Sequence, residues 1–87
     1  MPTITCQVVN LKGMHARAAA QIVKLVCGYH SQVTLRHKDK EAPADSLIKL
    51  LTLNAPQGST ITIEARGNDS EQVLEALNEL FAIGFGE

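Results

Sequence analysis

Polar and apolar residues alternate at the start of the chain. Ile4, Cys6 and Val8 are separated by Thr5 and Gln7, which predicts a half-buried strand over 3–9. The period then lengthens. Ala16, Ala19, Ala20, Val23, Val26 and Cys27 lie on one helical stripe over 16–27, and Gly28 follows where a left-handed residue closes a helix at least cost. Alternation returns at 32–37 with Val33 and Leu35 inward, and Lys38-Asp39-Lys40 turns into a weaker strand over 41–44 that Pro43 confines to a sheet edge.

Ser46 stands at the cap position of a short helix over 47–53, which ends in the loop Asn54-Ala55-Pro56-Gln57-Gly58. A fourth strand over 59–66 carries Ile61, Ile63 and Ala65 on one face. The last helix runs over 70–83 with Val73, Leu74, Leu77, Leu80 and Phe81 inward, opened by Asp69 at a cap position and Gln72 three residues on. Strands with one polar face and helices with one apolar stripe imply a two-layer α+β domain, its helices covering one side of a sheet.

Eighty-seven residues suffice for one small core and not for two. The net charge of −1 argues against nucleic acid as the main partner. Its distribution is uneven. Residues 1–38 hold Lys12, Arg17, Lys24, Arg36 and Lys38 and no acid, whereas residues 67–87 hold Asp69, Glu71, Glu75, Glu79 and Glu87 and no base. That polarity is either incidental to the helix faces or a basic surface that steers an acidic or phosphorylated protein towards it. No leader-like start and no apolar run of the ~20 residues that cross a bilayer are found, so a cytoplasmic domain with no membrane insertion is expected. Cys6 and Cys27 are expected to be buried, reduced thiols, and no metal-ligand set or cofactor motif is read.

The chemistry concentrates at Lys12-Gly13-Met14-His15-Ala16-Arg17-Ala18. A helix N-terminus exposes N–H groups and favours acids, yet this first turn holds a cation and no acid. An anion that arrives and leaves would resolve the conflict, and a histidine stands beside it as the nucleophile. The same end of the helix disfavours imidazolium and keeps the ring nucleophilic. His30, after a helix stop, and His37, at a strand end, read as surface residues.

Gly13-Met14-His15-Ala16-Arg17, followed by Ser46-Leu47-Ile48-Lys49-Leu50-Leu51 and then Gln57-Gly58, resembles the HPr family of phosphocarrier proteins over essentially the whole chain. Met14, the Leu50-Leu51 pair and the ending Leu80-Phe81-Ala82-Ile83-Gly84-Phe85 look more like its nitrogen-related branch, NPr, than the sugar-transport branch. The resemblance implies an open-faced β-sandwich, four antiparallel strands covered on one face by three helices. It further implies that His15 is phosphorylated on Nδ1 by phosphorylated enzyme I and passes the group to an enzyme IIA protein, with no cofactor, as a monomer that is a substrate of its partners rather than an enzyme.

On that reading the amides of Ala16, Arg17 and Ala18 face the phosphoryl oxygens and Arg17 adds a charge-assisted contact. Leu47, Ile48, Leu50, Leu51 and Leu53 are too many apolar residues for so short a helix to bury. The expected docking patch is Leu47, Ile48 and Leu51 with Met14 and Ala20, rimmed by Arg17, Lys24 and Lys49. Ser46, in part of the family a target of a serine kinase, is either that second phosphosite or simply a cap. Two positions depart from the family pattern: Ala18 replaces a proline, and Cys27 replaces a lysine common in the sugar branch. A sugar-uptake carrier, and a binding module whose histidine is never phosphorylated, are the competing functions.

Overall fold

The computed structural model describes residues 2–87. Its elements follow in the order β1 (Thr3–Gln7), α1 (Ala16–Val26), β2 (Gln32–His37), β3 (Lys40–Pro43), α2 (Leu47–Leu51), β4 (Thr60–Arg66) and α3 (Ser70–Ala82). The four strands form one antiparallel sheet in the order β1-β4-β2-β3. β3 is at the edge that Pro43 requires, and β4, late in sequence, is central.

Register aligns the apolar positions into rows. Ile4 pairs with Ile63, Ile63 with Leu35, and Leu35 with Ala42, so one row crosses all four strands. A second row joins Cys6 to Ile61. Leu35, Ala42, Ile61 and Ile63 are sealed from solvent, as are Ile22 of α1, Leu50 of α2 and Leu77 of α3 packed over them. The alternation is therefore satisfied on the helix-covered face, and Thr5, Gln7, Arg36 and Thr60 face outward. Among the described residues, no helix is long and apolar enough to cross a membrane.

Several expectations are corrected. β1 ends at Gln7, with Val8 buried beyond it and Val9 exposed. The buried face of α1 is Ala18, Ala19, Ile22 and Val26, while Ala16, Ala20 and Cys27 are exposed. Ala16 and Ala20 are one turn apart on the exposed face, and the buried stripe is rotated by about a quarter turn from the expected one, with Ala19 and Val26 common to both. Cys6 is buried, its thiol pushed up by desolvation, but Cys27 is not. Gly28 does not take a left-handed conformation; α1 closes through tight turns from Gly28 N to Leu25 O and from Tyr29 N to Val26 O. His37 is buried, and its Nδ1 lies 2.8 Å from Leu53 O, tying β2 to the end of α2.

Candidate functional site

The loop from Asn10 to Met14 delivers the chain to α1 under tight local constraint. Gly13 has φ +69°, and a Cβ there would sit 2.5 Å from Ala55 O and 2.9 Å from Pro56 Cα, so only glycine allows this approach. Met14 N donates to Ala55 O at 2.8 Å, and Asn10 Nδ2 donates to Gly13 O at 2.8 Å. Two further bonds hold the facing loop: Gly58 N to Val8 O and Gln57 Nε2 to Val9 O. The position of His15 is therefore set by residues some forty places downstream.

His15 is the N-cap of α1, with extended backbone (φ −102°, ψ 179°), and Ala19 N donates to its carbonyl at 2.9 Å. Its side chain makes no capping bond. The amides of Ala16, Arg17 and Ala18 fall in the first turn, where no intrahelical acceptor exists. That turn has no acid, and Arg17 is exposed within it. Ala18 presents only its backbone here, because its methyl group is fully buried in the core.

The sequence reading missed what lies against the imidazole. Glu87 Oε2 contacts His15 Nε2, and that nitrogen is cut off from solvent. Asn10 Nδ2 donates to Glu87 Oε1 at 3.0 Å. The Asn10 amide above all, then the His15 ring, holds the Glu87 carboxyl below its ordinary value. Three consecutive left-handed residues, Gly84, Phe85 and Gly86 (φ +62°, +59° and +76°), fold the chain back to this place. Phe85 anchors the return: it is buried edge-on against Phe81, with ring centroids 4.9 Å apart, and its carbonyl accepts from Gln21 Nε2 at 2.7 Å. A Gly-Phe-Gly run after a helix was the available signal, since glycines permit the turn and an aromatic supplies the anchor.

The residues expected to form a docking patch differ in exposure. Ile48 is 76 % exposed, Leu47 40 % exposed, and Leu51 half-buried, while Leu50 and Leu53 fill the core. Ala20, Lys24 and Lys49 are exposed on α1 and α2, which pack against each other. Met14 is not part of any exposed patch. It is 6 % exposed and belongs to the core, drawn inward by the bond that holds its amide to Ala55. Ser46 Oγ accepts from Lys49 N at 3.4 Å, which is a helix cap.

At the N-terminus of α3 Asp69 occupies the cap position but makes no capping bond. Its carboxylate instead accepts from His30 N at 2.8 Å and from Ser31 N at 2.9 Å, and takes a short bond from Ser31 Oγ. These bonds, the one from the His30 amide first, hold its carboxyl below the ordinary value.

The first turn of α1 thus sets amides without intrahelical acceptors beside a histidine and an exposed arginine. Residues 2–82 match the family model described as PTS HPr component phosphorylation site. The chain is 48 % identical over 79 residues to phosphocarrier protein NPr of Proteus mirabilis, covering 90 % of this chain and 88 % of that one. It is 40 % identical over 84 residues to phosphocarrier protein NPr of Escherichia coli K12, covering 95 % and 93 %. Among solved structures, HPr-C-His from Thermoanaerobacter tengcongensis superposes with a TM-score of 0.95 at 32 % identity, covering 100 % and 98 %. With its sheet order, its histidine loop and these likenesses in accord, the chain belongs to the HPr family of phosphocarrier proteins of the phosphotransferase system.

Proposed function

We propose that His15 accepts a phosphoryl group from phosphorylated enzyme I, itself charged from phosphoenolpyruvate, and passes it to a histidine of an enzyme IIA protein in the nitrogen-related regulatory branch. The observation that carries this reading is the first turn of α1: three amides without intrahelical acceptors, an exposed Arg17, no acid, and an uncapped histidine at the entrance. With Nε2 occupied by Glu87, Nδ1 is the ring nitrogen left to attack. Its lone pair forms the N–P bond as the donor's N–P bond breaks and returns its electron pair to the donor. Donation reverses the step. The Ala16, Arg17 and Ala18 amides and the Arg17 guanidinium stabilise the phosphoryl oxygens.

Leu47, Ile48 and Leu51, with Ala20 and the rim of Arg17, Lys24 and Lys49, supply a small apolar surface with a basic edge. Such a surface suits brief encounters with an acidic partner. A phosphate on Ser46, which a serine kinase would place there, sets about two negative charges beside Ile48 and opposes docking rather than unfolding the helix.

The test is labelling from phosphoenolpyruvate in the presence of either the nitrogen-related or the sugar-branch enzyme I. The expected product is an acid-labile, base-stable phosphate formed with the nitrogen-related enzyme and absent in His15→Ala. Labelling that survives His15→Ala overturns the site, and labelling by the sugar-branch enzyme alone reassigns the branch.

A further inference from the structure

We propose that Glu87 is a positioning residue for phosphoryl transfer: its carboxylate accepts the Nε2 proton of His15, fixes the ring with Nδ1 unprotonated, and offsets the positive charge the ring acquires when phosphorylated. The inference rests on the phosphocarrier reading of His15 and adds to it a partner on the far side of the ring.

Three observations carry it. First, the placement is built. Gly84, Phe85 and Gly86 all adopt left-handed backbone, a conformation that strains Phe85 and is kept because the phenyl ring is buried against Phe81 and the Phe85 carbonyl is held by Gln21. Second, the carboxylate is aimed. Asn10 Nδ2 bridges Gly13 O, at 2.8 Å, and Glu87 Oε1, at 3.0 Å, so the loop that positions His15 also positions the other oxygen of Glu87. Third, Nε2 is buried with that carboxylate against it, and a buried ring nitrogen without an acceptor for its proton would be costly.

The chemistry follows from proton bookkeeping. A neutral imidazole has one N–H; if Nε2 keeps it, Nδ1 offers a lone pair. When that lone pair takes the phosphoryl group and Nε2 retains its proton, the ring becomes an N-phosphoimidazolium. No proton needs to leave in either direction of transfer. A carboxylate against Nε2–H stabilises that cation, as the third member of a nucleophile–histidine–carboxylate arrangement does. The same charge keeps the phosphorylated ring protonated, the form in which imidazole is the better leaving group, so the carrier stays ready to donate.

Glu87 also lies within the field of Lys12, so removing its charge makes the surroundings of His15 more basic and favours docking of an acidic partner. Positioning and docking therefore predict opposite changes. The experiment compares wild type, Glu87→Gln and Glu87→Ala, phosphorylated with phosphoenolpyruvate and the enzyme I that labels the wild type. Glu87→Gln is expected to lower the maximal rate of His15 phosphorylation about tenfold with no rise in the KM for carrier, and to lengthen the lifetime of the phosphoprotein at neutral pH several-fold. In 15N-labelled wild type a ring proton bonded to Nε2 is expected to persist against exchange with water, and in Glu87→Ala to be lost. Wild-type rates and lifetime in Glu87→Gln, or an effect confined to KM, overturns the role of Glu87 while leaving His15 as carrier. If the wild type itself takes no label on His15, the underlying phosphocarrier reading fails instead.

Discussion

The N-termini of α1 and α3 are both left uncapped by the side chain at the cap position, for opposite reasons. Asp69 turns its carboxylate away to bind the amides of His30 and Ser31, and the acid that complements the α3 dipole is Glu71, within the first turn. At α1 the cap residue is a histidine held from behind, and the turn it opens contains arginine in place of an acid. One mouth has been neutralised by its own chain. The other keeps its amides and adds a cation, the arrangement that the proposed phosphoryl site calls for. A helix terminus becomes a site through what is withheld from it as much as through what is placed there.

The comparison breaks most completely at Gly13. Gly13→Ala forces a Cβ into Ala55 O from a left-handed backbone, and urea denaturation is expected to show a loss of at least ~2 kcal/mol, with labelling of His15 lost as the loop shifts. Arg17→Glu makes the first turn of α1 resemble that of α3. Stability is expected to rise by ~0.3–1 kcal/mol, while phosphorylation in a rapid-quench assay slows at least tenfold, a barrier increase of about 1.4 kcal/mol. Should both properties rise together, anion binding is not what the empty turn is for.

Glu71→Arg performs the reverse exchange on α3. It should lower stability by ~0.3–1 kcal/mol and leave transfer kinetics unchanged, read by thermal unfolding and the same labelling assay. The smallest effect concerns acid. Because Asp69 is held below its ordinary value of 3.8, its contribution to stability is full above that value and disappears as pH falls through the lower native one. Asp69→Asn should remove this part of the acid dependence and speed amide exchange at His30 and Ser31; an unchanged acid transition would mean that the loop does not depend on the carboxylate.

Much of this fold was legible because strands advertise themselves. Ile61, Ile63 and Ala65 alternate without exception, and β4 lies where that pattern puts it. α1 was harder to orient. Four of its first five residues are alanine, whose methyl group hardly distinguishes a buried face from an exposed one, and only Ile22 and Val26 settle the phase. His37 could have been found, since it continues the period of Val33 and Leu35 and so points inward with them. The placement of His15 and Arg17 at the entrance of α1 was readable from the local sequence. Asp69 was misread because its residue type announces a cap while its partners lie thirty-eight and thirty-nine positions away. Asn10 and Glu87, separated by seventy-seven positions, meet only through the tertiary fold.

The pairing of β1 with β4 carries a consequence for the order in which the protein comes into being. The loop bearing His15 leaves the ribosome early, yet Met14 is fastened to Ala55, Val8 to Ser59 and Gly58, and among the described residues β1 pairs with no strand other than β4. Closing these contacts requires most of the chain, and such long-range closure comes late in folding. A nascent chain without β4 carries the whole Gly13-Met14-His15-Ala16-Arg17 motif but lacks the strand that pairs with β1 ahead of it. On the proposed role of His15, competence for phosphoryl transfer therefore awaits the synthesis and pairing of β4.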